Sequence, residues 1–307
     1  MLRIFRGAKI SVSEKRCAYL TMDDTEGWAI DSDLSFAPMR SLGWTIDMVP
    51  WRSAGVAWDA YDAVYINTPW DYPDDPQAFL SLLETIDRSD AVLVNDIALV
   101  RWTIPKTYLR DLESRGAAIV PSLWYDAFDA AMLPGFFDTY QAERIIVKPV
   151  VSTNAHNTFL LERPVPASVV KKIEEVFARR PFVVQPFIEN VQSEGEYSLF
   201  FFSREFSHAI LKTPKDEDFR VQEEHGARIN AWEPESALLE TAAEVLELVE
   251  PVPVYARCDF IRGPDGRFLL MELEVIEPSL YLRMASAAPM RFSRAFDAYV
   301  ARSKTSA

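Results

Sequence analysis

The chain has 307 residues, 49% hydrophobic and 25% charged, room for about two or three domains of roughly 100–200 residues; with only 10 glycines and no short repeat, disordered and collagen-like classes are excluded. The 46 acidic residues against 32 basic, net −14, argue against a nucleic-acid partner and against a basic membrane-surface protein. No apolar run reaches the ~18–20 residues of a membrane span, Met1–Arg16 lacks an apolar signal core, and two cysteines, Cys17 and Cys258, fit a reduced compartment, so a soluble, cytoplasmic α/β protein is the expectation.

Cys17–Met22 reads as a buried strand running into the acidic loop Asp23–Asp33. Phe36–Leu42 is a short helix stopped by Gly43, and Trp44–Val49 and Tyr61–Ile66 are further strands. The third strand ends in Asn67-Thr68-Pro69-Trp70-Asp71-Tyr72. Pro76–Ile86 has helical spacing and Ala91–Val94 is a fourth strand. Alternation of strand and helix predicts a parallel sheet, with the loops Asp23–Asp33 and Asn67–Tyr72 at its ligand-binding carboxyl end.

From Thr103 the pattern changes. Thr103 is placed to cap a helix, with Pro105 in its first turn and Gly116 past its end. Ala117–Val120 and Arg144–Val150 are strands, Val165–Arg180 has one apolar helical face, and Phe182–Ile188 is a strand interrupted by Pro186. Tyr197–Phe202 and Ser207–Leu211 form a hairpin, Ser236–Val249 a second amphipathic helix, and Arg302–Ala307 a frayed tail. The resulting division is an α/β domain over 1–102, a small subdomain over 103–182 and a C-terminal subdomain over 183–307.

The most informative stretch is Val254–Ser279. A tight turn at 263–266 sets Arg262 opposite Arg267, so that Ala256, Cys258 and Phe260 face Leu273, Met271 and Leu269 on an apolar side. The other side then carries Arg257, Asp259, Glu272 and Glu274, with Arg257 opposite Glu272. Three carboxylates on one face repel one another, and a bound Mg²⁺, which takes oxygen ligands, reverses that cost; a solvated polar sheet face is the plainer alternative. Glu277-Pro278-Ser279 carries the acidic face onward.

Lys106, Lys148 and Lys212 stand beside strand or helix ends, where a lysine can simply snorkel from a core edge. Together with Arg220 and Arg257 they also suit a polyphosphate bridged by Mg²⁺. Neither common Gly-rich phosphate loop is present; Val151–Thr158 offers small polar residues instead. His156, His208 and His225 have no metal-ligand spacing, there is no nucleophile elbow, and both cysteines read as buried small hydrophobes.

These residues resemble the ATP-grasp superfamily. Arg257, Asp259, and then Glu272 and Glu274, thirteen residues and more after the Asp, match its metal-binding end. IIVKP (145–149) and WTIPKTYL (102–109) resemble its two lysine-bearing segments. FVVQPFIENVQSEGEY (182–197) resembles its adenine hinge and ribose acid, and SHAILKTPKDEDFRVQEEHGARI (207–229) its second phosphate lysine and D-F-R arginine. WDY (70–72), KTYLRDL (106–112), GEYS (195–198) and MELEVIEPSLYL (271–282) are most similar to the branch that holds the D-cycloserine-forming ligase and related amide ligases.

The resemblance implies an ATP-grasp fold, α/β plus α+β, with an N-terminal parallel-sheet domain. It implies an ATP-dependent ligase that activates a carboxylate or carbamoyl group as a phosphate for attack by an amine-type nucleophile. It assigns Lys106, Lys148, Gln185, Phe187, Ile188, Glu196 and Lys212 to ATP, with Lys212, Arg220 and Arg257 as catalytic groups. Asp259, Glu272 and Glu274 would hold two Mg²⁺ ions, for which Mn²⁺ could substitute. Asp23, Asn67, Trp70, Asp71, Glu277 and Ser279 are placed toward a small amino-acid-like substrate. Three departures stand out: Asn67-Thr68-Pro69 where the branch usually carries an arginine, Glu217 before D-F-R, and His225-Gly226 in place of Gly-Gly. A silent ATP-binding module, a metal-dependent hydrolase and a structural acidic protein are the competing classes. No residue pattern marks an oligomer interface, and a homodimer is the general expectation.

Overall fold

The computed structural model describes residues 15–216 and 218–306. The first sheet is parallel, in the order β2-β1-β3-β4, from β1 (Lys15–Thr21), β2 (Trp44–Pro50), β3 (Ala63–Thr68) and β4 (Val92–Val94). Its central strands are buried on both faces, which is why they read as continuous apolar runs. Ala18, Leu20, Val64 and Ile66 pack with Phe79, Leu83 and Ile86 of α2 (Pro76–Asp87). Cys17, Tyr19 and Tyr65 of the opposite face, beside α1 (Phe36–Ser41), pack with Phe200, Tyr255, Phe292 and Phe296 from the far end of the chain. Asp75 caps α2 by accepting from the Ala78 N–H, with Pro76 as its first residue.

The helix expected from Thr103 is two helices. α3 (Ile97–Thr103) is capped by Asp96, and the Thr103 hydroxyl donates to the Leu99 carbonyl at its end. α4 (Tyr108–Ser114) follows, and Gly116, with φ of 104°, lies beyond it as anticipated. Ala117–Val120 is not a full strand: Ile119 makes one parallel bridge to Leu270.

The second sheet holds β5 (Leu123–Tyr125), β6 (Arg144–Pro149), β7 (Phe159–Glu162) and β8 (Phe182–Pro186), all antiparallel, in the order β5-β8-β6-β7. With α5 (Leu133–Tyr140) and α6 (Ala167–Phe177) it closes its own core around Phe136, Ile145, Val147, Ile173, Phe177 and Phe182. Because β8 pairs inside this sheet, a boundary after residue 182 cuts a strand; the sheet itself ends at Pro186.

The third sheet is antiparallel, in the order β11-β10-β9-β12-β13, and follows the single turn α7 (Asn190–Ser193). Its strands are β9 (Glu196–Phe202), β10 (Glu205–Thr213), β11 (Arg228–Trp232), β12 (Tyr255–Arg262) and β13 (Phe268–Glu274). α8 (Ser236–Glu247) and α4 cover one face. α9 (Ala288–Ser306) runs through the segment expected to fray, and Lys304 pairs with Asp62. Among the described residues no helix is long and apolar enough to cross a membrane. Cys17 and Cys258 are fully buried, as expected, and burial raises both thiol pKa values.

The β12–β13 register differs from expectation. The connection is a longer loop: Gly266, in the left-handed region at φ 83°, donates to the Gly263 carbonyl and sets Arg262 opposite Phe268. A bulge then places Phe260 opposite Leu270 but Asp259 opposite Glu272, leaving Met271 as the extra residue, and Arg257 opposite Glu274. Leu273 faces the core with Cys258, as expected, while Leu269 and Met271 turn to the other side with Ile261.

Candidate active site

The second and third sheets face each other across a cavity of about 240 Å³. Its walls fall into two chemical regions. One is apolar: Val120 before β5, Ile146 of β6, Phe187 and Ile188 after β8, Ile261 of β12 and Met271 of β13, with Phe219 and Val221 from the loop after β10. Gln185 is buried beside it and donates to the Ser122 hydroxyl at 2.9 Å. The bulge makes this region possible. It lets neighbours Met271 and Glu272 both line the cavity, one beside the apolar wall and one among the charges.

The other region is charged. The period-two alternation of β12 sends Arg257 and Asp259 to the cavity, and that of β13 sends Glu272 and Glu274. Arg257 Nε lies 3.0 Å from Asp259 Oδ1, and its Nη2 is 3.0 Å from Oδ2. Arg257 also pairs with Glu274, and its Nη1 donates to the Ser279 carbonyl at 3.3 Å. Lys212 of β10 donates to Glu196 of β9 at 2.9 Å and sits 3.5 Å from Asp259. Ser198 donates to Asp259 at 2.5 Å. Lys106, in the turn before α4, pairs with Glu272 and donates to the Ser152 carbonyl at 3.1 Å. Lys148 of β6 is nine-tenths buried and, among the described residues, has no ion-pair or hydrogen-bond partner for its amine.

These pairings set the protonation of the site. Burial, with the charge of Lys106 beside it, pushes Lys148 down to about 8 against the pull of Glu272 and Glu196. Burial also acts against Lys106, but the Glu272 carboxylate more than offsets it and holds the amine above its ordinary value. Burial works against Glu272 and Asp259 as well; Lys106 with Lys148, and Arg257 with Lys212, hold these carboxyls below the usual range. Glu274 is pushed up to about 7 and Glu277 to about 8, in both cases mainly by burial. Arg220 faces the cavity half-exposed, held by Asp218 at 3.1 and 2.9 Å.

The structure therefore gathers Lys106, Lys148, Gln185, Phe187, Ile188, Glu196, Lys212, Arg220, Arg257, Asp259, Glu272 and Glu274 around one cavity, with Trp70, Glu277 and Ser279 at its edge. Three of the substrate candidates do not line this cavity. Asp23 is exposed in its loop and does not line the cavity. Asp71 is turned away, accepting from Trp51 at 2.7 Å and pairing with Arg52. Asn67 is buried in a smaller neighbouring hollow that shares Trp70 and Ser279 with the main cavity. Glu217 lies outside the described residues. Trp28, Met271 and Ile261 were not anticipated; an indole in an otherwise acidic loop is the signal that could have found the first.

Among the described residues no three His, Cys, Asp or Glu side chains converge as a ready metal cage. The carboxylate oxygens are instead taken up by lysine and arginine. The donor set still suits a hard divalent cation, since Asp259, Glu272 and Glu274 are all-oxygen ligands on one sheet face.

A family model described as the N-terminal domain of D-cycloserine synthetase DcsG matches residues 17–95. The cycloserine biosynthesis protein DcsG of Streptomyces lavendulae is 28% identical over 291 residues, covering 88% of this chain and 95% of that protein. The crystal structure of D-cycloserine synthetase DcsG superposes with a TM-score of 0.83 at 26% identity, over 93% of this chain and 99% of that one. The chain has the fold of the ATP-grasp ligases and is similar in sequence to D-cycloserine synthetase DcsG. Its fold extends to more distant members: the ATP-grasp ligase PsnB, solved with minimal precursor, Mg and ADP, superposes with a TM-score of 0.62 at 15% identity over 92% of this chain and 98% of that one. The three-layer order of an ATP-grasp ligase, a parallel sheet followed by two antiparallel sheets around one cleft, is the architecture the motifs implied.

Proposed function

We propose that this ATP-grasp ligase binds Mg·ATP in the cavity between the second and third sheets. It uses the nucleotide to activate a carboxylate or carbamoyl oxygen of a small amino-acid-like substrate. The γ-phosphoryl group moves to that oxygen and ADP leaves. An amine-type nitrogen then bonds to the activated carbon, phosphate departs with the C–O electron pair, and the nitrogen loses a proton.

The apolar wall of Ile146, Ile188, Ile261 and Met271 suits an adenine ring, with Gln185 and the backbone at 187–188 beside it. Glu196 is offered to the ribose hydroxyls once Lys212 turns to phosphate. Lys106 and Lys148 bind phosphate oxygens, and Lys212 and Arg220 hold the transferring group. Arg257 stabilises the oxyanion that forms when the nucleophile adds. Asp259, Glu272 and Glu274 would hold the magnesium, two ions as the family resemblance implies, which would supply neutralisation of phosphate charge. Mn²⁺, also an oxygen-seeking divalent ion, is a candidate substitute.

One observation carries this reading. Lys106, Lys148, Lys212 and Arg257 are buried in one cleft with Glu196, Asp259, Glu272, Glu274 and Glu277, and among the described residues the amine of Lys148 makes no ion pair. A buried ammonium without a partner is costly unless a ligand supplies the charge. The test is a titration of Mg²⁺ with a non-hydrolysable ATP analogue into wild type and Glu272→Gln, read by calorimetry and melting temperature. Analogue at a hundredfold over its Kd should stabilise wild type by about 2.7 kcal/mol, and the mutant's affinity should fall at least tenfold. Wild type that fails to bind the analogue would refute the nucleotide assignment.

A further inference from the structure

The cavity leaves one carboxyl unmatched as well as one amine. Glu196, Asp259, Glu272 and Glu274 each have a lysine or arginine partner. Glu277 has none among the described residues, although it is 8% exposed and lines the cavity. Beside it lies the buried hydroxyl of Tyr72, whose pKa burial and the Glu277 carboxyl raise. A carboxylate so enclosed needs a positive partner or a proton.

What surrounds it is aromatic. Trp70 donates from its indole nitrogen to the backbone carbonyl of Glu277 at 2.9 Å, which fixes the ring beside that residue. Trp28 closes on Trp70 with ring centroids 5.0 Å apart, and both line the same cavity. Indoles close to a buried carboxyl favour an ammonium group over an anion, through the ring quadrupole and the carboxyl together. The loops bearing Trp28 and Trp70 leave the carboxyl ends of β1 and β3, where ligands bind in sheets of this kind.

We infer that Glu277 receives the ammonium group of the substrate beside the paired indoles of Trp28 and Trp70, so that the enzyme selects amine-bearing acids and rejects their N-acylated forms. This rests on the ligase reading for what happens to the substrate afterwards, but the amine site itself can be tested without nucleotide.

The experiment uses the full chain, with and without Mg²⁺ and the ATP analogue. D- and L-serine, D- and L-alanine and β-alanine are titrated against their N-acetyl derivatives, with calorimetric heat and melting temperature as readouts. At least one free amine should bind wild type, its N-acetyl form at least tenfold more weakly. Glu277→Gln should lose the preference by weakening the amine tenfold or more, while its analogue affinity stays within about twofold. Trp28→Ala, at a half-exposed loop position, should weaken the amine with little effect on melting temperature, which covers the case in which Glu277→Gln folds poorly. N-acetyl forms binding as well as free amines, a Glu277→Gln protein that keeps its amine affinity, or no amine binding to wild type would each overturn the inference. Failure of the analogue to bind, with amine discrimination intact, would overturn the ligase reading alone.

Discussion

Lys148 shows at a single residue how function is set against stability. Its amine has a folded pKa of about 8 against an ordinary 10.5. Between those values the unfolded chain binds more protons than the folded one, so stability rises with pH across that window. The penalty is therefore complete below pH 8 and is relieved as pH climbs toward 10.5. A shift of this size amounts to about 3 kcal/mol. Lys148→Met should accordingly raise the melting temperature of the ligand-free protein at pH 7 by several degrees, with the gain fading toward pH 10. The same substitution should weaken binding of the Mg²⁺–ATP analogue at least tenfold. Melts of both proteins across pH 7–10 check the first claim; a mutant less stable than wild type at pH 7 would show that the buried amine is matched in some other way. The residue was legible from its motif as a candidate for phosphate binding, but its isolation was not, because a sequence does not say which acids have already found partners.

At the level of elements, legibility followed the strength of the repeating pattern. The parallel strands β1–β4, the helices α2, α6 and α8 and the β9–β10 hairpin were all readable, since each carries a long apolar period. The face of β12–β13 was half legible. Arg257, Asp259, Glu272 and Glu274 share a side because their spacing within each strand is even, but the register failed because it depends on loop length and on a bulge at Met271, neither of which leaves a period. α3 was hidden because Thr103, a good capping residue, ends a helix here instead of starting one. Gly195 is a further element-level device. It sits just before β9 with φ of 118°, and an added Cβ would lie 2.5 Å from the backbone oxygen of Lys212. Gly195→Ala therefore meets both backbone strain and a clash with β10. We expect it to destabilise the fold by at least about 2 kcal/mol and to weaken nucleotide binding by displacing Lys212, with calorimetric melts and analogue titration as the checks. An unchanged melting temperature would mean that β10 yields freely at that point.

The whole molecule divides unevenly into parts that are welded and parts that are not. The first and third sheets share one core, in which Tyr19 and Tyr65 pack with Phe200, Tyr255 and Phe292. Asn95 ties them further: its amide donates to the carbonyls of Tyr255 at 2.9 Å and Val275 at 2.8 Å and accepts from the Val254 N–H at 2.6 Å, all in full burial. The second sheet keeps a core of its own and meets the rest largely through Val120, Phe187, Val221 and Ile261, residues that also wall the cavity. An interface opened by the binding cleft is less cohesive than a closed core, so this sheet should be the unit that moves and that ligand holds still. Hydrogen exchange gives the measurement. On adding Mg²⁺ with the ATP analogue, amides of β6, β8 and the loop 151–158 should gain at least tenfold protection, while those of β1 and β3, whose residues do not line the cleft, should change little. Equal protection throughout the chain would mean that the nucleotide stabilises one rigid body. Protection limited to β12 and β13 would place it on the carboxylate face without engaging Lys148.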